Sequence, residues 1–265
     1  MQPKAKNKLT ALIITYNEKG YIERCIDSVR FADEIIVVDS YSTDGTYEVL
    51  LQDPDVSVVQ HAFDNFTKQK TRALEKASHD WILFLDADEV VTPELQVELL
   101  NTIDSGTPHS AFWCYRSFMF QQEPLNFSGW QTDKNYRLFR KSEAQFSDKK
   151  LVHETLVFSG SSGILKNNLI HYCYKNYEDY KGKMLHYGRL KAKEDFYREK
   201  RFNYLLMGAK TLWKFVHHYF FRLGFLDGKK GITICYLNAL GVWKRYSTLK
   251  ELEVSNRLTT YLVMP

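Results

Sequence analysis

The sequence predicts an α/β protein with a mixed, mainly parallel central sheet, flanking helices and a helical C-terminal region. Up to Glu89, short apolar runs alternate with stretches of helical spacing, a pattern typical of parallel strands joined by helices. The runs end in polar residues. From Asn176 onward Lys, Arg, Tyr and Leu dominate and proline is absent until Pro265, so we expect helices there.

The first half is predicted to contain four buried strands with helices between them. Strand and helix alternate in this order: strand 9–15, helix 20–31, strand 34–38, helix 46–51, strand 56–60, helix 68–77 and strand 82–85. The carboxyl ends of parallel strands meet at one edge of a sheet, which is where open α/β sheets bind ligands. We therefore expect the polar residues after three of these strands to share one crevice.

The second half is predicted to complete the sheet with mixed strands. A helix begins near Pro93, which follows Thr92 and precedes Glu94, because proline is favoured in the first turn of a helix. Strand-like, often aromatic segments then follow at 111–120, 135–139, 151–157 and 169–172. We predict a catalytic domain over residues 1–174 and a separate helical region over residues 175–265.

The charge is distributed unevenly along the 265 residues. Residues 1–174 hold 18 Lys and Arg against 24 Asp and Glu, whereas residues 175–265 hold 18 against 8. A basic, aromatic-rich segment predicts an anionic surface as partner, either a membrane or a nucleic acid. With 44% hydrophobic residues overall, the chain has ample apolar side chains for a core.

The cysteines and the apolar segments exclude several classes of protein. Cys25, Cys114, Cys173 and Cys235 are widely separated, so neither a zinc knuckle nor a disulfide framework is indicated, and a reducing cytoplasm is expected. Residues 1–8 lack the apolar run of a signal peptide. No uncharged stretch reaches the roughly 20 residues of a spanning helix, so no transmembrane helix is predicted.

Asp86 and Asp88 follow the apolar run Trp81-Ile82-Leu83-Phe84-Leu85. Two carboxylates at a strand end, two positions apart, can converge on one hard divalent cation such as Mg²⁺ or Mn²⁺. The alternative is a strand that ends in a solvated acidic turn. No Gly-x-x-x-x-Gly-Lys-[Ser/Thr] motif is present, and no Gly-x-Gly-x-x-Gly follows the first strand, which argues against P-loop and dinucleotide-binding enzymes.

Three ordered motifs resemble the nucleotide-sugar-binding half of inverting family 2 glycosyltransferases of the GT-A fold. They are Thr15-Tyr16-Asn17-Glu18, Val37-Val38-Asp39-Ser40 with Thr43-Asp44-Gly45-Thr46, and Asp86-Ala87-Asp88-Glu89. Later segments resemble the subgroup that contains the lipopolysaccharide-core β-1,4-glucosyltransferases: Arg137-Leu138-Phe139-Arg140, Val152-His153-Glu154, Leu169-Ile170-His171-Tyr172 and residues 224–231. The resemblance implies a nucleotide-sugar half at about 1–105 and an acceptor half at about 106–174.

The resemblance also implies a role for each matching residue. Asp39 would hydrogen-bond the base, Asp86 would lie near the ribose, and Asp88 would bind a Mg²⁺ or Mn²⁺ ion that bridges the donor phosphates. Glu154 would be the general base that deprotonates the acceptor hydroxyl. The remaining implied donor-site residues are Thr15, Tyr16, Asn17, Glu18, Lys70 and Ala87; the acceptor side would include Trp130, Arg137 and His153, and His171 would complete the metal shell.

Several of these residues have a structural alternative. Lys70 stands where relatives have arginine and would otherwise be a solvated helix cation, while Asn17 would otherwise cap a helix or turn. His171 would otherwise be a hydrogen-bonded structural histidine. For Trp130 and Arg137 the alternative is ordinary packing or surface ion pairing, for Glu154 a surface glutamate, and for Thr43-Asp44-Gly45 a strand-to-helix turn.

The resemblance implies a metal-dependent inverting enzyme that moves a hexose, glucose favoured, from a UDP-type donor to a saccharide acceptor of a cell-envelope glycan. One alternative is a haloacid-dehalogenase-like phosphatase, because Asp86-Ala87-Asp88-Glu89-Val90 fits Asp-x-Asp-x-Val after an apolar strand. The chain has no Asp-Asp or Gly-Asp pair for the metal of such an enzyme. A second alternative is a nucleic-acid-binding protein that uses the basic region; under the main hypothesis no nucleic-acid partner is expected.

The C-terminal region is predicted to hold the enzyme on the inner face of the cytoplasmic membrane, near a lipid-linked acceptor. Between residues 211 and 226, apolar residues recur at the spacing of one helical face, while Lys214, His218 and Arg222 recur on another. Such a helix can lie in a membrane interface. The alternative is that the apolar face packs on the catalytic domain or a sister subunit; the sequence leaves the oligomeric state open.

Overall fold

The computed structural model describes residues 7–147 and 155–263. Within this part the chain divides into two compact units. The N-terminal unit contains the described residues up to Ser117 and from Thr132 to Cys173, and the C-terminal unit contains Phe118–Gln131 and the residues from Tyr174 onward. Residues 118–131 thus group with the C-terminal helices, whereas the sequence-based division counted them with the acceptor half.

The elements of the N-terminal unit alternate as predicted up to Asp86. They are β1 (Leu9–Thr15), α1 (Ile22–Ser28), β2 (Glu34–Asp39), α2 (Thr46–Leu51), β3 (Val56–Gln60), α3 (Phe66–Lys76), β4 (Trp81–Asp86), β5 (Glu89–Val91) and α4 (Pro93–Asp104). The strands that follow are β6 (His109–Phe120), β7 (Glu123–Leu125), β8 (Lys134–Arg140), β9 (Ala144–Ser147), β10 (Thr155–Phe158), β11 (Ser161–Ile164) and β12 (Leu169–Tyr174). The α/β class predicted from the sequence is confirmed.

Eight of the described strands form a mixed sheet in the order β3-β2-β1-β4-β8-β6-β12-β5, with β7 and β11 also paired to β6, while β9 and β10 form a separate two-stranded sheet. Strands β3, β2, β1 and β4 are parallel, whereas β8 runs antiparallel to both β4 and β6. The side chains of β1 alternate between two cores, since Leu9, Ala11 and Ile13 belong to one cluster and Leu12 and Ile14 to the other. Both faces of this half are therefore covered, which explains its uninterrupted apolar runs.

A β-bulge lies in β8 at Arg137. Leu138 pairs with Phe112 and Tyr136 with Trp113, so Arg137 is the extra residue opposite this step. Leu138 belongs to one core cluster, whereas Tyr136 packs against the other; a regular strand would direct both to the same face. Bulges of this kind redirect a side chain, often beside a functional site.

The C-terminal unit is mainly helical, as predicted. Its long elements are α5 (Tyr177–Tyr197), α6 (Tyr204–Val216) and α7 (Gly228–Val263). Side-chain oxygens of Asn176 and Asn203 cap the first turns of α5 and α6, satisfying amide groups that have no partner within the helix. None of the described helices is both long enough and apolar enough to cross a membrane.

The prediction of a single helix between residues 211 and 226 is wrong. Helix α6 ends at Val216, a π-helical turn covers His217–Phe221, and Leu223 has a φ of 56° before a short 3₁₀ turn at Gly224–Asp227. Asp227 accepts hydrogen bonds from the amides of Asn126 and Phe127. The chain therefore turns at Leu223, because hydrogen bonds to residues distant in sequence override the helical spacing of its apolar residues.

Candidate active site

The predicted crevice lies at the carboxyl edge of the parallel strands. Thr15, Asp39 and Asp86 are the last residues of β1, β2 and β4. Thr15 pairs in register with Asp39, and the neighbouring Ile14 pairs with Asp86. The three polar side chains therefore end adjacent strands at nearly the same level. The hydroxyl of Thr15 is buried without a hydrogen-bond partner among the described residues.

Two loops at this edge are bonded to each other. Asn17 has a φ of 56°, donates its amide to Ser42 Oγ at 2.9 Å and accepts from the Thr43 amide at 2.7 Å. Asp44 accepts from the amides of Lys19 and Thr46. Asn17 is therefore a link between the β1 and β2 loops rather than the cap of α1.

The carboxylate of Asp39 is fully buried. It accepts hydrogen bonds from the amide and hydroxyl of Ser42, and from Gln60 Nε2 at 3.1 Å. These bonds fix the loop after β2 beside the exposed rings of Tyr16 and Tyr41. The contact between Asp39 and the nucleotide base stays a prediction. The hydrogen bonds to Ser42 and Gln60 show that Asp39 also shapes the loop.

Asp86 belongs to a buried ionic cluster at the end of β4. The bulged Arg137 places its Nη2 atom 2.6 Å from Asp86 Oδ2 and 2.5 Å from Glu89 Oε1. Glu89 is completely buried, while the side chain of Asp86 is 32% exposed. Glu89 therefore holds the cluster from inside, and Asp86 presents the accessible carboxylate.

The cluster fixes the charge of Asp86. Burial opposes ionisation of this carboxyl, but the nearby cations Arg137, Lys70 and Arg116 outweigh it and hold its pKa well below the usual range. The second oxygen of Glu89 accepts from the Asp86 amide at 3.1 Å, which shapes the turn. Asp86 is thus an oriented anion at neutral pH, able to accept hydrogen bonds from a ligand's hydroxyl groups.

Asp88 lies beside His171. Strand β12 pairs with the short strand β5, and its Tyr172 amide donates to the Asp88 carbonyl at 2.8 Å. As a result His171 Nε2 lies 3.3 Å from Asp88 Oδ1. A carboxylate and an imidazole are a donor set that Mn²⁺ accepts readily. Within the described residues no group of three or more His, Cys, Asp or Glu could hold a metal.

Lys70 is buried rather than solvated. Its side chain is 7% exposed, and its ammonium lies 4.9 Å from the centre of the Phe84 ring. It lines a cavity of about 310 Å³ together with aromatic and polar residues of neighbouring strands. The other lining residues are Phe84, Trp113, Lys134, Asn135, Tyr136, Arg137, Phe146 and Leu156. The cavity therefore combines aromatic surfaces with cations.

Other predicted site residues do not join this cluster. Ala87 is buried in the core, and the backbone carbonyl of Glu18 accepts from the Tyr21 and Ile22 amides at the start of α1. Trp130 belongs to the C-terminal unit, where it packs 4.3 Å from Phe118 between ring centres. His153 and Glu154 lie outside the described residues.

Glu89 and Arg116 were not singled out from the sequence. Arg116 lies 3.1 Å from Glu89 and 2.6 Å from Asp133, so it extends the cluster. Glu89 does stand next to the acidic motif, and a glutamate at the start of an apolar strand predicts either a functional role or a buried partner. Arg116, in contrast, lies in an aromatic strand with no local signal of its partner.

The family model "Glycosyl transferase family 2" matches residues 10–165. This range covers more than half of the chain and includes β1, the acidic motif and the later strands. The chain therefore belongs to glycosyltransferase family 2 and is a glycosyltransferase. This assignment overturns the phosphatase alternative.

The relatives are glycosyltransferases from bacteria. An uncharacterized glycosyltransferase of Rickettsia typhi is 27% identical over 261 residues, covering 94% of this chain and 89% of its own. The lipopolysaccharide core biosynthesis glycosyltransferase LpsC of Rhizobium meliloti is 26% identical and covers 96% and 98%. Among solved structures, S. aureus TarS (residues 1–349) aligns with a TM-score of 0.46 at 14% identity, covering 94% and 92%.

Proposed function

We propose that this glycosyltransferase moves a hexose, glucose favoured, from UDP to a hydroxyl of a saccharide acceptor, with inversion at the anomeric carbon. The observation that carries the proposal is the oriented pair of acids at one sheet edge, with Asp86 held by Arg137 and Asp88 beside His171. The similarity to a lipopolysaccharide core enzyme supports an acceptor in a cell-envelope glycan.

In this proposal Asp88 and His171 hold a divalent cation, Mn²⁺ or Mg²⁺. Such a cation, when bound, stabilises the charge that develops on a leaving diphosphate. Asp86 accepts hydrogen bonds from the ribose, and its orientation by Arg137 keeps that contact fixed. Lys70, buried near Asp86, adds positive charge toward the donor but cannot form the bidentate fork of an arginine.

We assign the general base to Glu154 on the grounds of the family resemblance. An inverting displacement needs a base on the face opposite the leaving diphosphate, which takes the proton from the attacking hydroxyl. Glu154→Gln should then abolish transfer to the acceptor. Binding of the nucleotide-sugar donor should be unchanged. NMR assignment of the product anomer checks the same proposal, because a retained configuration contradicts it.

We further propose that the enzyme works at the inner face of the cytoplasmic membrane, where a lipid-linked acceptor is found. The support is the basic composition of residues 175–265, which hold 18 Lys and Arg against 8 Asp and Glu. Cations near an anionic bilayer surface contribute about 1 kcal/mol each. The exposed apolar side chains of α6, such as Leu205 and Trp213, add the apolar contact that interfacial binding requires.

Asp88→Asn tests the metal site. We expect the variant to fold normally, because Asp88 lies in the turn between β4 and β5 rather than in the apolar core, and to lose at least a hundredfold in UDP-glucose turnover. Binding of Mn²⁺ in the presence of UDP, followed by electron paramagnetic resonance, should weaken in parallel. The matched control is Asp55→Asn, because Asp55 is 74% exposed in a surface pair with Arg30.

A panel of nucleotide sugars tests donor choice. Hydrolysis is measured with UDP-, GDP- and TDP-sugars at saturating Mn²⁺ or Mg²⁺, since donor turnover does not require the acceptor. UDP-glucose should be turned over fastest. Wild-type turnover by Asp88→Asn contradicts the metal assignment. Tight, salt-dependent binding of random DNA or RNA without any sugar turnover favours the nucleic-acid alternative.

A further inference from the structure

An open apolar groove lies between α6 and α7 of the C-terminal unit. Its volume is about 510 Å³, within the ~300–1,000 Å³ typical of small-molecule sites. The lining residues are Met207, Gly208, Thr211, Leu212, Phe215, Tyr236, Ala239, Leu240 and Trp243. None of them is charged, and none belongs to the proposed transfer chemistry, so the groove needs an explanation of its own.

The walls of the groove are exposed side chains. Leu212 is 65% exposed, Tyr236 51% and Trp243 44%. The apolar surface continues along the outer side of α6, where Leu205 is 83% and Trp213 58% exposed. Scattered exposed apolar residues are normal on a protein surface, but a groove with several exposed apolar side chains in its walls is typical of an interaction site.

Cations lie close to the groove on α6. Lys210 is exposed, and its ammonium lies 5.7 Å from the centre of the Tyr246 ring on α7. Lys214, one turn further, is near Lys191 and Arg222: burial first, and then these two cations, lower its pKa. An apolar groove formed by a helix that also carries the exposed Lys210 is complementary to a molecule with an alkyl chain and an anionic head.

One polar atom among the groove residues also lacks a hydrogen-bond partner within the described part of the chain. The hydroxyl of Thr211 is buried and has no hydrogen-bond partner among the described residues. An ester carbonyl at the top of an acyl chain would accept a hydrogen bond from this hydroxyl. Tyr236 and Trp243 combine an apolar ring with a polar tip, the combination that is enriched at membrane–water interfaces.

We propose that the α6–α7 groove binds one acyl chain of an anionic membrane phospholipid. This inference rests on the membrane location proposed above, but not on the identity of the sugar donor. The chain occupies the apolar groove, and the lipid phosphate faces the cations of α6. The enzyme is thereby held by a single lipid chain in addition to charge attraction at the surface.

Filling the groove tests this inference. Gly208 lines the groove, and a Cβ atom built there has no atom within 4 Å, so a side chain can start at this position without a clash, and Gly208→Leu adds an isobutyl group at the wall of the groove. Gly182 on α5 has equally open surroundings, so Gly182→Leu adds the same side chain at a site outside the groove. Full-length proteins are floated with phosphatidylglycerol vesicles, and the bound fraction is measured over a range of lipid concentrations.

We expect Gly208→Leu to need at least fivefold more lipid for half-maximal binding, and Gly182→Leu to stay within twofold of wild type. Vesicles with acyl chains brominated at mid-chain should quench wild-type tryptophan fluorescence, and Trp243→Phe should remove part of that quenching. The proposal is overturned if the two glycine variants bind alike, or if the wild-type protein fails to float at low salt.

Two further measurements distinguish the lipid site from an interface between copies of the chain, and its failure from failure of the proposed reaction. Light scattering in solution reports the oligomeric state, and a wild-type dimer that Gly208→Leu converts to monomer would identify the groove as an interface between copies and overturn the lipid site. UDP-glucose hydrolysis without vesicles should be equal in wild type and Gly208→Leu. Absence of turnover in both, with lipid binding retained, contradicts the proposed reaction but leaves the groove inference standing.

Discussion

Arg137 connects the strand geometry to the acidic motif. Its guanidinium lies between Asp86 and Glu89 because a bulge redirects the side chain, and it is only 4% exposed. A buried carboxylate that loses its partner is costly, since neither water nor another charge replaces the lost contacts. The stability of this edge of the sheet should therefore depend on Arg137 more than on surface ion pairs.

We expect Arg137→Ala to lower the free energy of unfolding by about 3 kcal/mol, the lower end of the range for a broken buried pair, because Arg116 still contacts Glu89. Urea unfolding followed by circular dichroism measures the change. Arg72→Ala is the control, because Arg72 and Glu75 form an exposed pair on α3 worth at most ~1 kcal/mol. Equal losses in the two variants contradict the structural role of Arg137.

His218 makes the C-terminal unit sensitive to acid. Burial and the nearby Lys214 lower its pKa to about 4, although its ring bonds the Ser128 carbonyl at 2.8 Å. In the unfolded chain this histidine has its ordinary pKa near 6.5. Between pH 4 and 6.5 the unfolded chain therefore binds a proton more readily than the folded protein does. The contribution of His218 to the free energy of unfolding is therefore fully present above pH 6.5 and is lost as the pH falls toward 4.

We expect the melting temperature of His218→Gln to depend less on pH than that of wild type between pH 6.5 and 4, because glutamine donates a hydrogen bond but does not titrate in this range. Thermal melts at half-unit pH intervals measure the difference. His186→Gln, at an exposed position on α5, should keep the wild-type slope. A wild-type slope in His218→Gln as well would show that other groups cause the acid sensitivity.

At the scale of elements, the parallel strands could be read from the sequence. Strands β1 and β3 lie at the predicted positions, β2 is one residue longer at its C-terminal end, and β4 is one residue longer at each end. Strands buried on both faces require continuous apolar residues, so their limits are visible as changes in composition. Short β5 was not predicted, because its three residues carry no periodic signal.

The antiparallel half and the helices α6 and α7 were less predictable. The bulge at Arg137 depends on pairing between β6 and β8, which leaves no mark in the local pattern. The position of His171 likewise depends on strand pairing. The family resemblance suggested this residue, but it reaches Asp88 only because β12 pairs with β5. The break at Leu223 was missed because apolar spacing continues through it.

Helices α5 and α7 pack closely at Gly188. A Cβ atom at this position would lie 2.6 Å from the Gly241 carbonyl oxygen and 3.1 Å from Lys244 Cβ. Gly188→Ala should therefore push the helices apart and cost roughly 1–3 kcal/mol, as overpacking does. Urea unfolding measures the change in stability.

Gly182→Ala is the matched control on the same helix. A Cβ atom there meets nothing within 4 Å, so the substitution should stabilise the protein by up to about 1 kcal/mol through the higher helix propensity of alanine. A stabilising effect of Gly188→Ala as well would contradict the close approach of α5 and α7.

At the scale of the whole molecule, the chain combines an acidic N-terminal part with a basic C-terminal part. Residues 1–174 carry a net charge of −6 and residues 175–265 carry +10. A molecule with this asymmetry is attracted to an anionic surface through one part only. The same asymmetry was visible in the sequence, because charge counts do not depend on how the chain folds.

Binding to phosphatidylglycerol vesicles should weaken as salt increases. Between 0.1 M and 1 M NaCl the Debye length falls from about 10 to about 3 Å, so we expect the bound fraction to fall by at least half. Residual binding at 1 M NaCl should remain, because salt does not screen apolar contacts. Flotation with neutral phosphatidylcholine vesicles is the control, and equal binding to both lipids contradicts an electrostatic contribution.

The contact between Asp88 and His171 also bears on how the enzyme is synthesised. The two residues are separated by 83 positions, which a ribosome takes on the order of ten seconds to add. A nascent chain that has just completed β5 contains the four parallel strands and Asp88, but not the strand that carries the histidine. The proposed cation-binding pair is therefore completed only after β12 has been made, so a truncated N-terminal fragment should hold Mn²⁺ more weakly than the finished enzyme.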